Sequence, residues 1–476
     1  MTSVAGRARP VRAAGRAQAV SDLTAVPDTV ARLRAAFTGG RTKPRAWRIR
    51  QLDGLLRMLA EREEQIVEAL AADLGRPAGD AWIADIGAIA LEAKHARSNL
   101  ASWMRDRRTA LPLSQVPGKG FIRFEPLGVV LIIGAWNYPF YLTLGPLVGA
   151  IAAGNTVAIK PSEHAPESSA LLASMIPQYL DPDAVAVLQG EADVTTALFE
   201  QKLDHALFTG SERIGTLVAQ TAAKHLTPVT LELGGKCPLI VDQDADLDVA
   251  ARRIVWAKLV NSGQTCITPD YVLAHEAVAH ELVQKVCETL TRFREGESAA
   301  QPIVNERQFD RLAGLLNGHG GRVVTGGGTD RSSLAVEPTV IVDPEPDSDL
   351  MREEIFGPIL PVITVRSLTD AIEFVRVRPK PLALYLFGSS RAARNRVLRE
   401  TSSGGVVVNH VGLHCMAPQL PFGGVGSSGT GAYHGRYGFE TFSHRKAVVV
   451  KRARPDVPLL YPPRTALKMR VLRRFF

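Results

Sequence analysis

From residue 121 onward the chain repeats one unit: a short, unbroken apolar run, then a helical stretch. The run 129–133, Val-Val-Leu-Ile-Ile, is apolar at every position and lies between Gly128 and Gly134. A strand that is apolar on both faces must be covered on both faces, which points to a parallel sheet between helices. Similar runs at 156–159, 184–188, 205–209 and 229–233 are separated by helical stretches near 142–153, 166–180, 191–201 and 211–225. Repeated strand–helix–strand units predict a doubly wound α/β sheet. A second set follows, with strands expected at 238–242, 271–274, 322–325, 383–387 and 405–409. Its helices are expected at 246–260, 275–295, 305–317, 368–377 and 391–400. Ahead of both sets, helical periodicity over 45–74 and a second helix over 81–105 offer apolar faces to a sheet. Residues 446–451 read as a late strand.

At 476 residues the chain is long enough for two or more domains. Its longest apolar run, 142–159, is interrupted by Gly145, Pro146, Gly149, Gly154 and Asn155. A membrane span needs about 20 apolar residues, so this run reads as a buried helix followed by a strand. The net charge of +8 sits at the ends, with +7 in residues 451–476 and +4 in residues 1–20. The body between them is slightly acidic, which argues against a nucleic-acid partner. Residues 1–20 read as a disordered basic extension and 456–476 as a basic tail. Cys237, Cys266, Cys287 and Cys415 show neither a CxxC pair nor a Cys/His metal spacing. Free thiols in a reducing, cytoplasmic compartment are expected, and no metal.

Three loops carry candidate chemistry. Cys266 lies in Asn-Ser-Gly-Gln-Thr-Cys-Ile-Thr-Pro-Asp-Tyr, 261–271, a polar approach unlike the setting of a core cysteine. A free thiol has a pKa of about 8.5, so a nucleophilic Cys266 needs help to ionise. Asn137 follows the strand 129–133, at the carboxyl end where ligands sit in such sheets. Its amide can donate to a developing oxyanion. Glu232 ends the strand 229–233, ahead of Gly234-Gly235, and can act as a general base. Taken singly, each has a plain reading: a buried cysteine, a turn asparagine, a strand-end carboxylate in an ion pair. Together, a nucleophile, an amide donor and a base suit acyl chemistry through a thioester.

The runs Ala135–Phe140, Leu231–Lys236 and 261–271, in this order and spacing, resemble the aldehyde dehydrogenase family. The resemblance extends from about Pro44 to Tyr461. Residues 263–271, 420–426, 431–435 and 441–445 look like its class 3 branch. The resemblance implies the aldehyde dehydrogenase fold: a Rossmann-like cofactor domain (21–107 and 127–235), an αβ catalytic domain (236–425) and a small β oligomerisation arm (108–126 and 426–455). It implies a homodimer that oxidises medium- or long-chain aliphatic or aromatic aldehydes to acids. Catalysis would use Cys266, Asn137 and Glu232.

No GxGxxG run follows a strand, so the common dinucleotide fingerprint is missing. In its place Phe208-Thr-Gly-Ser-Glu-Arg-Ile-Gly215 closes a strand and opens a helix, with Gly210, Ser211 and Gly215 set for a pyrophosphate. By resemblance, Lys160 would bond the adenosine ribose and Glu163 would lie near its 2′ position. A carboxylate there favours NAD, with NADP also accepted. Glu354 would hold the nicotinamide-ribose hydroxyls and Phe356 would flank the nicotinamide; Leu233 and Gly234 are further cofactor-binding candidates, and Trp136 is either a cofactor contact or core. Asn409 and His414 fall where the branch places pocket-lining residues. In 467–476, Leu467, Val471, Leu472, Phe475 and Phe476 share one helical face, with Lys and Arg filling much of the rest. Such a tail suits a weak peripheral contact with an anionic membrane, or a solvated end. The rival functions are a dehydrogenase that passes its acyl group to coenzyme A or phosphate, and a non-catalytic binding protein on the same fold.

Overall fold

The computed structural model describes residues 21–295, 301–454, 456 and 458–474. The basic extension 1–20 and the phenylalanines at 475 and 476 lie outside them. Two parallel-based sheets form the body. The first joins the strands Val129–Ile133, Thr156–Lys160, Val185–Val187, His205–Gly210 and Val229–Leu233 in parallel, and adds the short antiparallel piece Gly429–Thr430 at one edge. Val129–Ile133 is buried along its whole length at the centre, as its uniform apolarity requires. The helix Tyr141–Ala153 and the strand Thr156–Lys160 divide the long apolar run between them. Gly154 turns the chain at φ 93°, where a side chain would strike the Arg48 guanidinium.

The second sheet has seven strands, with Pro238–Val241, Tyr271–His275 and Ala383–Phe387 near its middle and Gly405–Val408 at one edge. Two of its strands, Thr339–Val342 and Ile359–Val365, were not expected from the sequence. Pro361 disguises the second, because proline is rare inside sheets. Here Pro361 pairs in parallel register with Ile341 between two neighbours. The expected helix over 45–74 is two helices, Arg45–Glu61 and Glu63–Leu74. Arg62 leaves helical geometry between them and donates to the Tyr179 hydroxyl and the Gln178 side chain.

A third sheet stands apart: Arg107–Thr109, Lys119–Pro126 and Ser443–Val450, all antiparallel. Residues 426–442 do not join it, contrary to the boundary expected for the arm. Gly429 pairs with Glu232 on the first sheet, and the helix Gly435–Thr441 lies against Tyr141–Ala153, Gly438 meeting Gly149. The glycines permit that close backbone approach, which ties this segment to the body.

Candidate active site

Cys266 is delivered by a strained turn. The helix Leu247–Leu259 gives way to Val260–Gly263, in which Asn261, Ser262 and Gly263 all take positive φ, at 53°, 50° and 70°. Only glycine fits the third position, since a Cβ there would strike the Gly357 carbonyl. Side chains lock the turn. The Asn261 amide donates to the carbonyls of Gln264 (3.0 Å) and Asn137 (3.2 Å). Gln264 donates back to Asn261 O (3.1 Å) and accepts from Val304 N (3.0 Å). Asn137 Nδ2 donates to Gln264 O at 3.1 Å, so the amide expected to serve an oxyanion lies one bond from the cysteine loop. Its second N–H is the one available to a ligand.

A buried ion pair holds the Asn137 loop from behind. Arg76 and Asp85 bond each other inside the protein, both almost without exposure. Arg76 also donates to the Asn137 carbonyl and lies 4.4 Å over the Tyr138 ring. Asp85 accepts from Tyr141 N at 2.9 Å. The turn 137–141 is thus gripped at both ends. Sequence reading missed both residues, because a charged side chain ordinarily faces water, whether in a turn between helices as Arg76 is or inside a helical stretch as Asp85 is. The available signal was Asp85 beside Ile86 on an otherwise apolar helix face.

Glu232 reaches the same region from the first sheet. It is 3% exposed, and neither carboxylate oxygen has a hydrogen-bond partner among the described residues. Burial alone drives its pKa well above the usual carboxylate range. The Cys266 thiol is also pushed well up, first by burial and then by the charge of Glu354, with Cys237, Cys415 and Glu232 adding to it. Glu232 is therefore close enough for its charge to act on the sulfur. Asn137 and Cys266 arrive on loops joined by a hydrogen bond, and Glu232 arrives near the end of the strand Val229–Leu233 with its charge acting on the sulfur. Tyr433, also missed, is buried, and the charges of Glu232 and Cys266 act on its phenol. Cys237, expected to be a plain core thiol, is buried and donates to the Cys266 carbonyl at 3.3 Å.

The expected cofactor residues line the carboxyl edge of the first sheet. Lys160 ends its strand almost fully buried and bonds Glu163 at 2.6 Å. For Glu163, burial raises the pKa, but the Lys160 charge and hydrogen bond carry it below the ordinary range. Ser211 precedes the helix Glu212–Ala223 without spending its hydroxyl on a cap. Gly215 lets that helix press on Leu233. Glu354 lies against Gly234, where any side chain would collide with its carboxylate. Burial, then the charge of Asp270, lifts Glu354 to about 8. Phe356, at φ 47°, meets Trp136 edge-on at 5.4 Å. A free hydroxyl at a helix start, a lysine at a strand end and an aromatic pair at the loop between the sheets fit a dinucleotide.

Two expected pocket residues sit otherwise. Asn409 is exposed, and its amide ties the ends of two neighbouring strands by exchanging bonds with Gly388 at 2.9 and 3.0 Å. His414 packs between Tyr385 and Phe422, and burial lowers it to about 4, so it stays neutral.

The aldehyde dehydrogenase family model matches residues 14–448, and the chain belongs to that family. It is 47% identical over 434 residues to a rat protein called dimeric NADP-preferring aldehyde dehydrogenase, spanning 90% of this chain and 95% of that one. It is 46% identical over 446 residues to mouse aldehyde dehydrogenase family 3 member A2, covering 92% of each. A Staphylococcus aureus aldehyde dehydrogenase structure, described as a substrate-bound state, superposes with a TM-score of 0.91 at 41% identity, over 95% of this chain and 99% of that one. The fold is the aldehyde dehydrogenase fold, of the class 3 branch, and the protein is an NAD(P)-dependent enzyme that oxidises an aldehyde to its acid.

Proposed function

We propose that Cys266, Asn137 and Glu232 carry this oxidation through a covalent thioester. The observation that bears the most weight is the bond from Asn137 to the Gln264 carbonyl, which joins the oxyanion donor to the nucleophile's own loop. The Cys266 thiolate adds to the aldehyde carbon, and the oxyanion is held by the free Asn137 N–H and the Cys266 backbone N–H. One such donor stabilises the transition state by about 3 kcal/mol. A bound dinucleotide, held by Lys160, Ser211, Glu354 and the Trp136–Phe356 pair, supplies the hydride acceptor. Glu232 then takes a proton from water as the water oxygen attacks the thioester carbon. The C–S bond breaks, and the acid leaves.

A water-activating base separates this reading from transfer to coenzyme A. Release of free acid without coenzyme A is expected; strict dependence on it would overturn hydrolysis. Cys266→Ser should lower kcat by about 10³-fold or more. Undiminished aldehyde-dependent NADH formation would show another nucleophile.

The substrate class is medium- or long-chain aliphatic and aromatic aldehydes, by likeness to the class 3 relatives, and a chain-length panel with each cofactor tests it. Glu163 favours NAD, while Lys160 beside it offers a cation for a 2′-phosphate, so both cofactors serve. The subunits pair through the free edge of Ser443–Val450 and the half-buried edge strand Gly405–Val408, in keeping with the word dimeric in the rat protein's name. Light scattering that finds a monomer would overturn this. Free cysteines suit the cytoplasm, and cell fractionation is the check. The helix Ala466–Leu472 leaves Leu467 mostly exposed beside Lys and Arg, which supports a weak contact with anionic membranes. Vesicle co-sedimentation of full-length protein against a 1–466 truncation decides it, and equal partitioning ends the idea.

A further inference from the structure

Tyr433 holds the one phenol in this neighbourhood that the described residues leave without a hydrogen-bond partner. The residue is 1% exposed, and its hydroxyl is fully enclosed. Tyr141 and Tyr385, by contrast, donate to the carbonyls of Cys415 (3.0 Å) and Ile267 (2.5 Å). Buried hydroxyls are ordinarily paired, and an unpaired one costs stability. Glu232, with both oxygens also unpaired, lies near enough that its charge and that of Cys266 act on the phenol.

The backbone keeps the two residues in fixed relation. Gly429 and Thr430 pair with Glu232 and Leu231, and Leu233 N donates to Ser428 O at 3.0 Å. Three residues beyond Thr430, Tyr433 exchanges backbone bonds with Phe422 at 2.8 and 3.0 Å. Its ring is wedged edge-on against His434 at 4.3 Å. The His434 ring is in turn stacked on Phe422 and bonded through Nε2 to the Tyr141 hydroxyl at 3.1 Å. A side chain held this firmly, with its polar end unspent beside an unspent carboxylate, is placed for a third group that both can bind.

We propose that Tyr433 is a positioning residue for hydrolysis of the acyl-enzyme, its hydroxyl oxygen and the Glu232 carboxylate together holding the attacking water. This rests on Glu232 as the base. One water proton is donated to Glu232 and the other to the Tyr433 oxygen, so that a water lone pair is left facing the thioester carbon. As the C–O bond forms, Glu232 takes its proton, the C–S bond breaks, and the Cys266 thiolate leaves. Tyr433 keeps its own proton throughout. Glu92, whose carboxylate accepts from Gly435 N at 2.5 Å, fixes the far side of the same segment.

An activated ester isolates this step, because it acylates Cys266 without any dinucleotide. With p-nitrophenyl acetate and the full-length protein, the burst of p-nitrophenol reports acylation and the slow phase reports hydrolysis. Tyr433→Phe should keep the burst amplitude and slow the second phase by about tenfold, the loss of one hydrogen bond to the reacting water. Its Tm should hold, since the substitution removes no hydrogen bond to another described residue. An unchanged slow phase, or a lost burst in a folded variant, would overturn the proposal. Glu232→Gln is the second arm. A retained burst with a slowed second phase in Glu232→Gln but not in Tyr433→Phe rejects Tyr433 alone. No slowing in Glu232→Gln rejects the base itself, and with it the shared water. Thr209, which pairs with Glu232 across the sheet and also has an unpartnered buried hydroxyl, is the competing holder. Slowing in Thr209→Val but not in Tyr433→Phe would transfer the role to Thr209.

Discussion

On the nucleophile side of the site, most polar groups are committed, Asn261 Oδ1 being an exception. Asn261, Gln264 and Asn137 bond one another's backbones, and Arg76 and Asp85 grip the Asn137 loop from below. On the base side, the Glu232 carboxylate and the Tyr433 hydroxyl are both buried and have no hydrogen-bond partner among the described residues. One half spends most of its side-chain hydrogen bonds within the protein, and the other leaves its two key polar groups open. The difference follows the chemistry. An oxyanion donor must stand ready before charge develops. A base must exchange protons with water, and a carboxylate already holding several donors would be too weak to do so.

The contrast can be broken from the committed side first. Asp85→Asn leaves the Arg76 guanidinium buried without its anion, and should cost about 3–5 kcal/mol of stability. A denaturation midpoint close to that of the parent would mean the pair does not hold this loop. Asn137→Ala removes the donor itself. A loss of about 10²–10³ in kcat, with KM little changed, is expected from steady-state kinetics. Loss confined to KM would instead make Asn137 a ground-state contact.

The open side is probed by pH. Cys266 and Glu232 both work deprotonated, and burial raises both, so each holds its proton further into the neutral and alkaline range than a free group would. Activity should therefore climb with pH, by about tenfold per unit where a single group limits the rate. A flat profile from about pH 6 to about pH 9 would show that neither proton matters to the limiting step. The smallest effect is expected at the cofactor edge. Glu163→Gln frees Lys160 from its carboxylate and should raise NADP use relative to NAD by about fivefold, on the order of 1 kcal/mol. An unchanged cofactor ratio would remove Glu163 from the 2′ site.

Elements with a clean local pattern were legible in the chain. Val129–Ile133 is buried because it is apolar at every position. The strand Ile359–Val365 was hidden by Pro361, whose cost depends on whether a neighbour needs its missing N–H. Arg62 splits a helix that periodicity runs through. Asn409 resembled a pocket residue, but its amide is consumed by Gly388 at the end of the neighbouring strand.

By itself the sequence determined most strands of the two αβ sheets and which residues are able to react, since apolar period and side-chain chemistry are local properties. Tertiary structure alone decided which of those residues meet, and how readily each gives up its proton. Arg76, Asp85 and Tyr433 take their parts from partners 56 to 201 positions away: Asn137, Tyr141 and Glu232. Solvation and hydrogen bonding of a group depend on what folding packs around it, and no stretch of neighbouring residues contains that information.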